Sequence, residues 1–130
     1  MAYDIKNLSL GTLIASSSFQ NRQYYAVQAS TVENYFGVGG TTGNSSPVGI
    51  LQNNPLTGEA GEIWIAGCVS KLVCQTALSP GDRFWIADNG KAYSTGAIPI
   101  KTTMYGPVLT AGASSGGIAT VVFNCFGITT

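Results

Sequence analysis

Glycine, proline and asparagine punctuate this chain so densely that it reads as a string of short segments. Seventeen Gly and five Pro are spread along 130 residues, with Ser, Thr and Asn between them. Such residues stop helices and shape turns. A chain interrupted this often favours many short strands over a few long helices. Its length is that of one domain, enough to bury about two-thirds of the surface of the unfolded chain without disulfide or metal staples.

From Val48 onward the strand pattern is regular. Val48 to Gln52 stops at Asn53-Asn54-Pro55, and Gly58 to Gly61 makes a turn. Glu62 to Ala66 alternates, placing Ile63 and Ile65 on one face and Trp64 on the other. Val69 to Cys74 alternates again, with Lys71 between two valines. Ser79-Pro80-Gly81-Asp82 suits a turn. Arg83 to Ala87 and Lys91 to Tyr93 flank Asp88-Asn89-Gly90, residues that tolerate the positive φ of a hairpin. Met104 to Leu109 and Ile118 to Phe126 complete the set, separated by an Ala111 to Gly117 loop. Upstream, Tyr25, Ala29, Val32 and Phe36 share a helical spacing, but Tyr, Val and Thr favour strands. We expect one strand over Tyr24 to Ala29 and a short second one near Tyr35. The expected fold is all-β: a small β-barrel or β-sandwich of short antiparallel strands with an extended N-terminal arm.

That arm spans residues 1–21, and residues 22–130 form the single β domain. Apolar residues in a terminal segment must dock on something. Tyr3, Ile5, Leu8, Leu10, Leu13, Ile14 and Phe19 are therefore candidates for an interface with a neighbouring subunit, the alternative being that they pack on their own domain. On the interface reading, deleting Met1 to Ser18 leaves a folded domain but weakens its binding to the partner surface. Leu8 to Ala15 is too short and too interrupted for a secretory signal, and Asp4 offsets Lys6. No run approaches the length of a membrane span.

Charge is scarce. Only 9% of residues are charged, against about 25% in an ordinary soluble domain, and the net charge is zero. Nothing here suits nucleic acid or an anionic membrane surface as a partner. A surface so poor in charge is either covered in Ser, Thr, Asn and Gln or engaged in permanent contacts. The three cysteines, Cys68, Cys74 and Cys125, are odd in number. Cys68 and Cys74 would sit about 20 Å apart along a strand, too far for a disulfide. We expect three reduced thiols serving as small hydrophobes.

Chemistry is hard to assemble from these residues. There is no histidine, which removes the usual base for a Ser or Cys nucleophile. Of the six carboxylates, Glu59 and Glu62 sit at a turn and a strand edge, while Asp82 and Asp88 belong to turns where their side chains bond nearby backbone. The loop from Gly37 to Pro47 carries four glycines but lacks both the G-K-[ST] of a phosphate loop and the third glycine of a dinucleotide motif. C-x5-C is not a zinc spacing. The expectation is a protein that is not an enzyme, with no catalytic residue, cofactor or metal. Trp64, Trp85, Tyr24, Tyr25, Tyr93 and Tyr105 keep a sugar-stacking platform open, although such residues serve cores and interfaces at least as often.

Between Pro47 and Lys91 the residues carry a pattern. Pro47-Val48-Gly49-Ile50-Leu51-Gln52-Asn53-Asn54-Pro55 is followed by Gly58-Glu59, Gly67-Cys68-Val69-Ser70-Lys71-Leu72-Val73, Leu78-Ser79-Pro80-Gly81-Asp82 and Asp88-Asn89-Gly90-Lys91. With Tyr25-Ala26-Val27 before it and Tyr105-Gly106-Pro107-Val108 after it, this resembles the small capsid decoration (cement) proteins of tailed bacteriophages, over residues 24–124. The three cysteines and the bulky Trp64 and Trp85 depart from that pattern. The resemblance implies a virion protein, made in the host cytoplasm, that binds the outer surface of the mature capsid and clamps neighbouring coat subunits. Its partners would be the major capsid protein and itself, as a homotrimer or a dimer. Other readings are a tail or fibre adaptor, a receptor-binding module, or a carbohydrate-binding β domain using Trp64 or Trp85.

Overall fold

The computed structural model describes residues 9–39, 47–65, 67–87, 89–94, 103–123 and 128–129. Among these the chain is all-β, with thirteen short strands and no helix. Six strands make the largest sheet: β1 (Ser9–Leu10), β2 (Ile14–Ala15), β3 (Ala26–Ala29), β4 (Tyr35–Val38), β5 (Pro47–Leu51) and β6 (Ile63–Ile65), in the order β1-β6-β5-β3-β4-β2. Its neighbours are antiparallel except β2 and β4, which run parallel. Parallel pairing departs from the purely antiparallel expectation. It arises because β2 precedes the β3–β4 hairpin and enters from outside it.

The ends of this sheet are drawn together. Segment 58–61 bonds to the strand opposite: Ala15 N donates to Glu59 O at 2.9 Å, Gly58 N to Ala15 O at 3.0 Å and Gly61 N to Leu13 O at 3.0 Å. The sheet therefore curls around a first core of Ala15, Phe19, Val27, Phe36, Leu51 and Ile63, with Leu10, Leu13, Val38 and Ile65 packed against it. Phe19 and Phe36 meet there with ring centroids 5.0 Å apart. Gly61 makes the curl possible, since a Cβ at that position would lie 2.5 Å from the Phe36 ring.

The second half comprises β7 (Val69–Val73), β8 (Phe84–Ile86), β9 (Ala92–Ser94), β10 (Thr103–Met104), β11 (Val108–Thr110), β12 (Ile118–Val122) and β13 (Ile128–Thr129). They pair as β11-β12-β7, β8-β9 and β10-β13. Bridges Cys74–Ala92, Leu78–Gly112 and Arg83–Pro107 join the pieces. Leu72, Cys74, Leu78, Phe84, Ile86, Val108, Ala119, Val121 and Phe123 fill the second core, together with Ala26 and Ile50 from the large sheet. Strands β3 and β5 thus bury both faces. Val27 and Leu51 point into the first core, Ala26 and Ile50 into the second, as period-two alternation dictates. The same rule divides β6, where Ile63 and Ile65 face the first core and Trp64 the second.

The two strands expected between Tyr24 and Phe36 are β3 and β4, joined as a hairpin: Ser30 N donates to Tyr35 O at 2.9 Å, Asn34 adopts φ 68°, and Val32 is exposed at the tip. Other expectations change. The strand expected over Met104 to Leu109 is broken at Gly106, whose φ is 133°. A Cβ there would collide with the Val122 carbonyl oxygen. Over residues 9–21 there is no arm standing apart from the domain. Ser9 and Leu10 pair with Trp64 and Ile63, Ile14 and Ala15 pair with Tyr35 and Phe36, and Phe19 N donates to Pro55 O at 2.8 Å.

Cys68 and Cys74 are both buried in the second core, and Cys74 is a free thiol. Cys125 lies outside the described residues. Burial pushes the Cys74 thiol above its ordinary value of 9.0, against a smaller opposing pull from the Ala119 backbone. The native state therefore keeps this proton at a pH where the unfolded chain has lost it. The Cys74 contribution to stability is complete below the ordinary thiol pKa and fades as pH climbs above it toward the raised native value. Alkylation at pH 8, mapped by mass spectrometry, should modify Cys74 only when denaturant unfolds the chain. Rapid modification of the native protein would contradict this burial.

A candidate interface on the second sheet

Alternation also determines what the second sheet shows to the outside. Along β7, Leu72 and its even-numbered neighbours point inward, leaving half-buried Val69 and exposed Lys71 on the outer face, with Val73 on the same side but itself buried. On β12, Ala119 and Val121 point inward and Ile118, Thr120 and Val122 outward. Register stacks these residues in rows: Ile118 beside Val73, Thr120 beside Lys71, Val122 beside Val69. On β11 a register shift between Val108 and Thr110 leaves Leu109 outside. Leu109 and Ile118 are 47% and 46% exposed, two of the four large apolar side chains most open to water. Lys71 is the one charged side chain on these rows.

This face runs into a groove of about 270 Å³ lined by Tyr24, Gln52, Trp64, Val69, Ser70, Lys71 and Thr120. Tyr24 is held in the left-handed region, φ 69°, a conformation that costs a bulky residue about 1–3 kcal/mol. Backbone bonds on both sides impose it: Tyr24 N donates to Leu51 O at 2.7 Å, and Tyr24 O accepts from Val73 N at 3.0 Å. The ring then lies 5.6 Å from the Lys71 ammonium, a cation–π contact. Gln52 Nε2 donates to Ile50 O at 3.1 Å and to Ser70 Oγ at 2.8 Å, and the Ser70 hydroxyl donates to Lys71 O at 2.9 Å. These bonds satisfy Ser70, a polar residue buried between the two sheets. They also fix the floor of the groove.

The residues expected to form an interface fare differently. Tyr3, Ile5 and Leu8 lie outside the described residues. Phe19 is wholly buried in the first core, so it has no surface left for another subunit; that expectation is corrected. Leu10 and Leu13 are half-buried against the same core, and Ile14 is half-buried on the parallel edge strand. The apolar residues of the described arm close the chain's own barrel. Sequence reading passed over Leu109 and Ile118 because an alternating strand does not announce which face lacks a cover.

Other candidates are tied up locally. Asp82 Oδ2 accepts from Ser79 N at 2.9 Å, and Glu59 Oε1 from Leu56 N at 2.7 Å. Trp85 stacks on Tyr93, centroids 4.6 Å apart, so one of its faces is already covered. Asp88 and most of the glycine loop, residues 40–46, are outside the described residues. Among the described residues, no three His, Cys, Asp or Glu gather as metal ligands would. No protein-family model matches the chain, and no curated protein matches it either.

Proposed function

We propose that this protein is a structural component of a bacteriophage virion that binds the outer surface of the mature capsid and clamps neighbouring coat subunits. The observation that carries the reading is the outer face of β7, β12 and β11, where exposed Leu109 and Ile118 continue into the Tyr24–Trp64 groove. An apolar centre with aromatic anchors and a polar margin is the composition of a protein–protein interface. The sequence resemblance over residues 24–124 supports the same reading, as does a net charge of zero, which spares many adjacent copies mutual repulsion. Self-association, with a homotrimer favoured, lets each subunit's modest affinity multiply across the shell.

The test is co-sedimentation with decoration-free mature capsids and with unexpanded procapsids. Saturable binding to mature shells at a fixed stoichiometry is the expected result; no binding to either shell would remove the reading. A second reading, a carbohydrate-binding domain, draws on the groove itself. The Tyr24 hydroxyl, Trp64 Nε1 and Gln52 Oε1 make no hydrogen bond among the described residues, and an aromatic wall stands beside them. Its signature would be sugar-dependent tryptophan fluorescence without shell affinity.

A further inference from the structure

A second cavity, of about 350 Å³, is lined by Arg22, Tyr25, Val38, Asn89 and Lys91. It brings together two of the six cationic side chains of a chain whose net charge is zero. Each rests near an aromatic ring, the Arg22 guanidinium 5.8 Å from the Phe19 centroid and the Lys91 ammonium 5.7 Å from that of Tyr25. Among the described residues, no carboxylate pairs with either.

Backbone bonds hold the segments that carry both cations. Arg22 N donates to Phe19 O at 3.0 Å and Arg22 O accepts from Tyr25 N at 3.2 Å, which fixes the turn before β3. On the other side, Ala26 N donates to Gly90 O at 2.8 Å, tying the tip of the β8–β9 hairpin to β3. Gly90 is indispensable to that approach, since a Cβ there would lie 2.6 Å from Ala26 O. Asn89 is locked as well: its Oδ1 accepts from Lys91 N at 3.0 Å and its Nδ2 donates to Gln75 Oε1 at 3.3 Å.

We infer that this cavity is an oxyanion site, in which Arg22 and Lys91 together bind a carboxylate or phosphate group. Two like charges held on one cavity repel each other, and an anion between them removes that cost. A guanidinium offers a forked pair of donors matched to carboxylate and phosphate oxygens, and an ammonium adds a point charge. The inference stands apart from the capsid reading, because it concerns another surface and uses none of the residues of the second sheet's outer face.

The experiment is a titration of the 15N-labelled protein with inorganic phosphate and, separately, with acetate, at ionic strength held constant with sodium chloride. Saturable shifts at the Asn89 amide and the Arg22 side chain are expected. Saturation by phosphate alone assigns a phosphate-bearing ligand, by acetate alone a carboxylate, and by both a general oxyanion site. Arg22→Gln or Lys91→Gln should each weaken binding about fivefold, whereas Arg83→Gln, outside the cavity, should leave it unchanged. Shifts that fail to saturate with either anion, or that persist in the Arg22→Gln/Lys91→Gln double variant, overturn the proposal.

Discussion

Replacing Phe19 with alanine should destabilise the protein by about 3–5 kcal/mol, the range for removing a wholly buried aromatic ring. Phe19 is 0% exposed and packs on Phe36, inside the curl of the large sheet. Its loss removes buried apolar surface and leaves a hole bounded by β-strands that cannot collapse inward without breaking their pairing. Urea denaturation followed by tryptophan fluorescence should show a lower midpoint with an unchanged slope. A cost under about 1 kcal/mol, far outside that range, would mean that the segment before β3 does not close this core. The same geometry reverses the expectation for deleting Met1 to Ser18. That truncation removes β1, β2 and the buried Ala15 and exposes the strand edges they cover, so it should fail to fold normally rather than merely bind shells less well.

The double variant Leu109→Asp/Ile118→Asp should lose shell binding by about a hundredfold or more, since central apolar contacts each contribute about 2 kcal/mol or more to an interface. Both side chains are nearly half exposed, so the fold itself should be affected little. Two carboxylates on this face would have to be desolvated against the coat surface, which is far costlier than losing contact area alone. Quantitative co-sedimentation measures the first effect and thermal unfolding the second. If the variant is stable and still saturates mature shells with parental affinity, the outer face of the second sheet is not where the coat binds.

Strand positions were legible because turn residues bracket them: Asn53-Asn54-Pro55 ends β5, and the Asp88-Asn89-Gly90 turn separates β8 from β9. The faces of β6 were legible too, because Ile-Trp-Ile admits one alternation. What the residues did not disclose is how far apart in the chain the partners lie. Leu10, Leu13 and Phe19 are as apolar as any interface residue, and only the folded packing shows Phe19 to be core and the two leucines to rest against it. Parallel pairing of β2 with β4 leaves no local mark, since no tight turn joins the two. Nothing in the sequence links Arg22 with Lys91, for nearly seventy residues, 22 to 91, separate side chains that share one cavity. Non-local convergence of this kind is invisible to a windowed reading of the chain.

The wall formed by β3 and β5 has a mechanical meaning. Because Ala26 and Ile50 belong to one core and Val27 and Leu51 to the other, neither half of the molecule can be peeled away with its own interior intact. Pulling the two halves apart is therefore opposed by both cores at once. The molecule is a rivet whose two heads share one shank, so it holds its shape until the shank itself gives way.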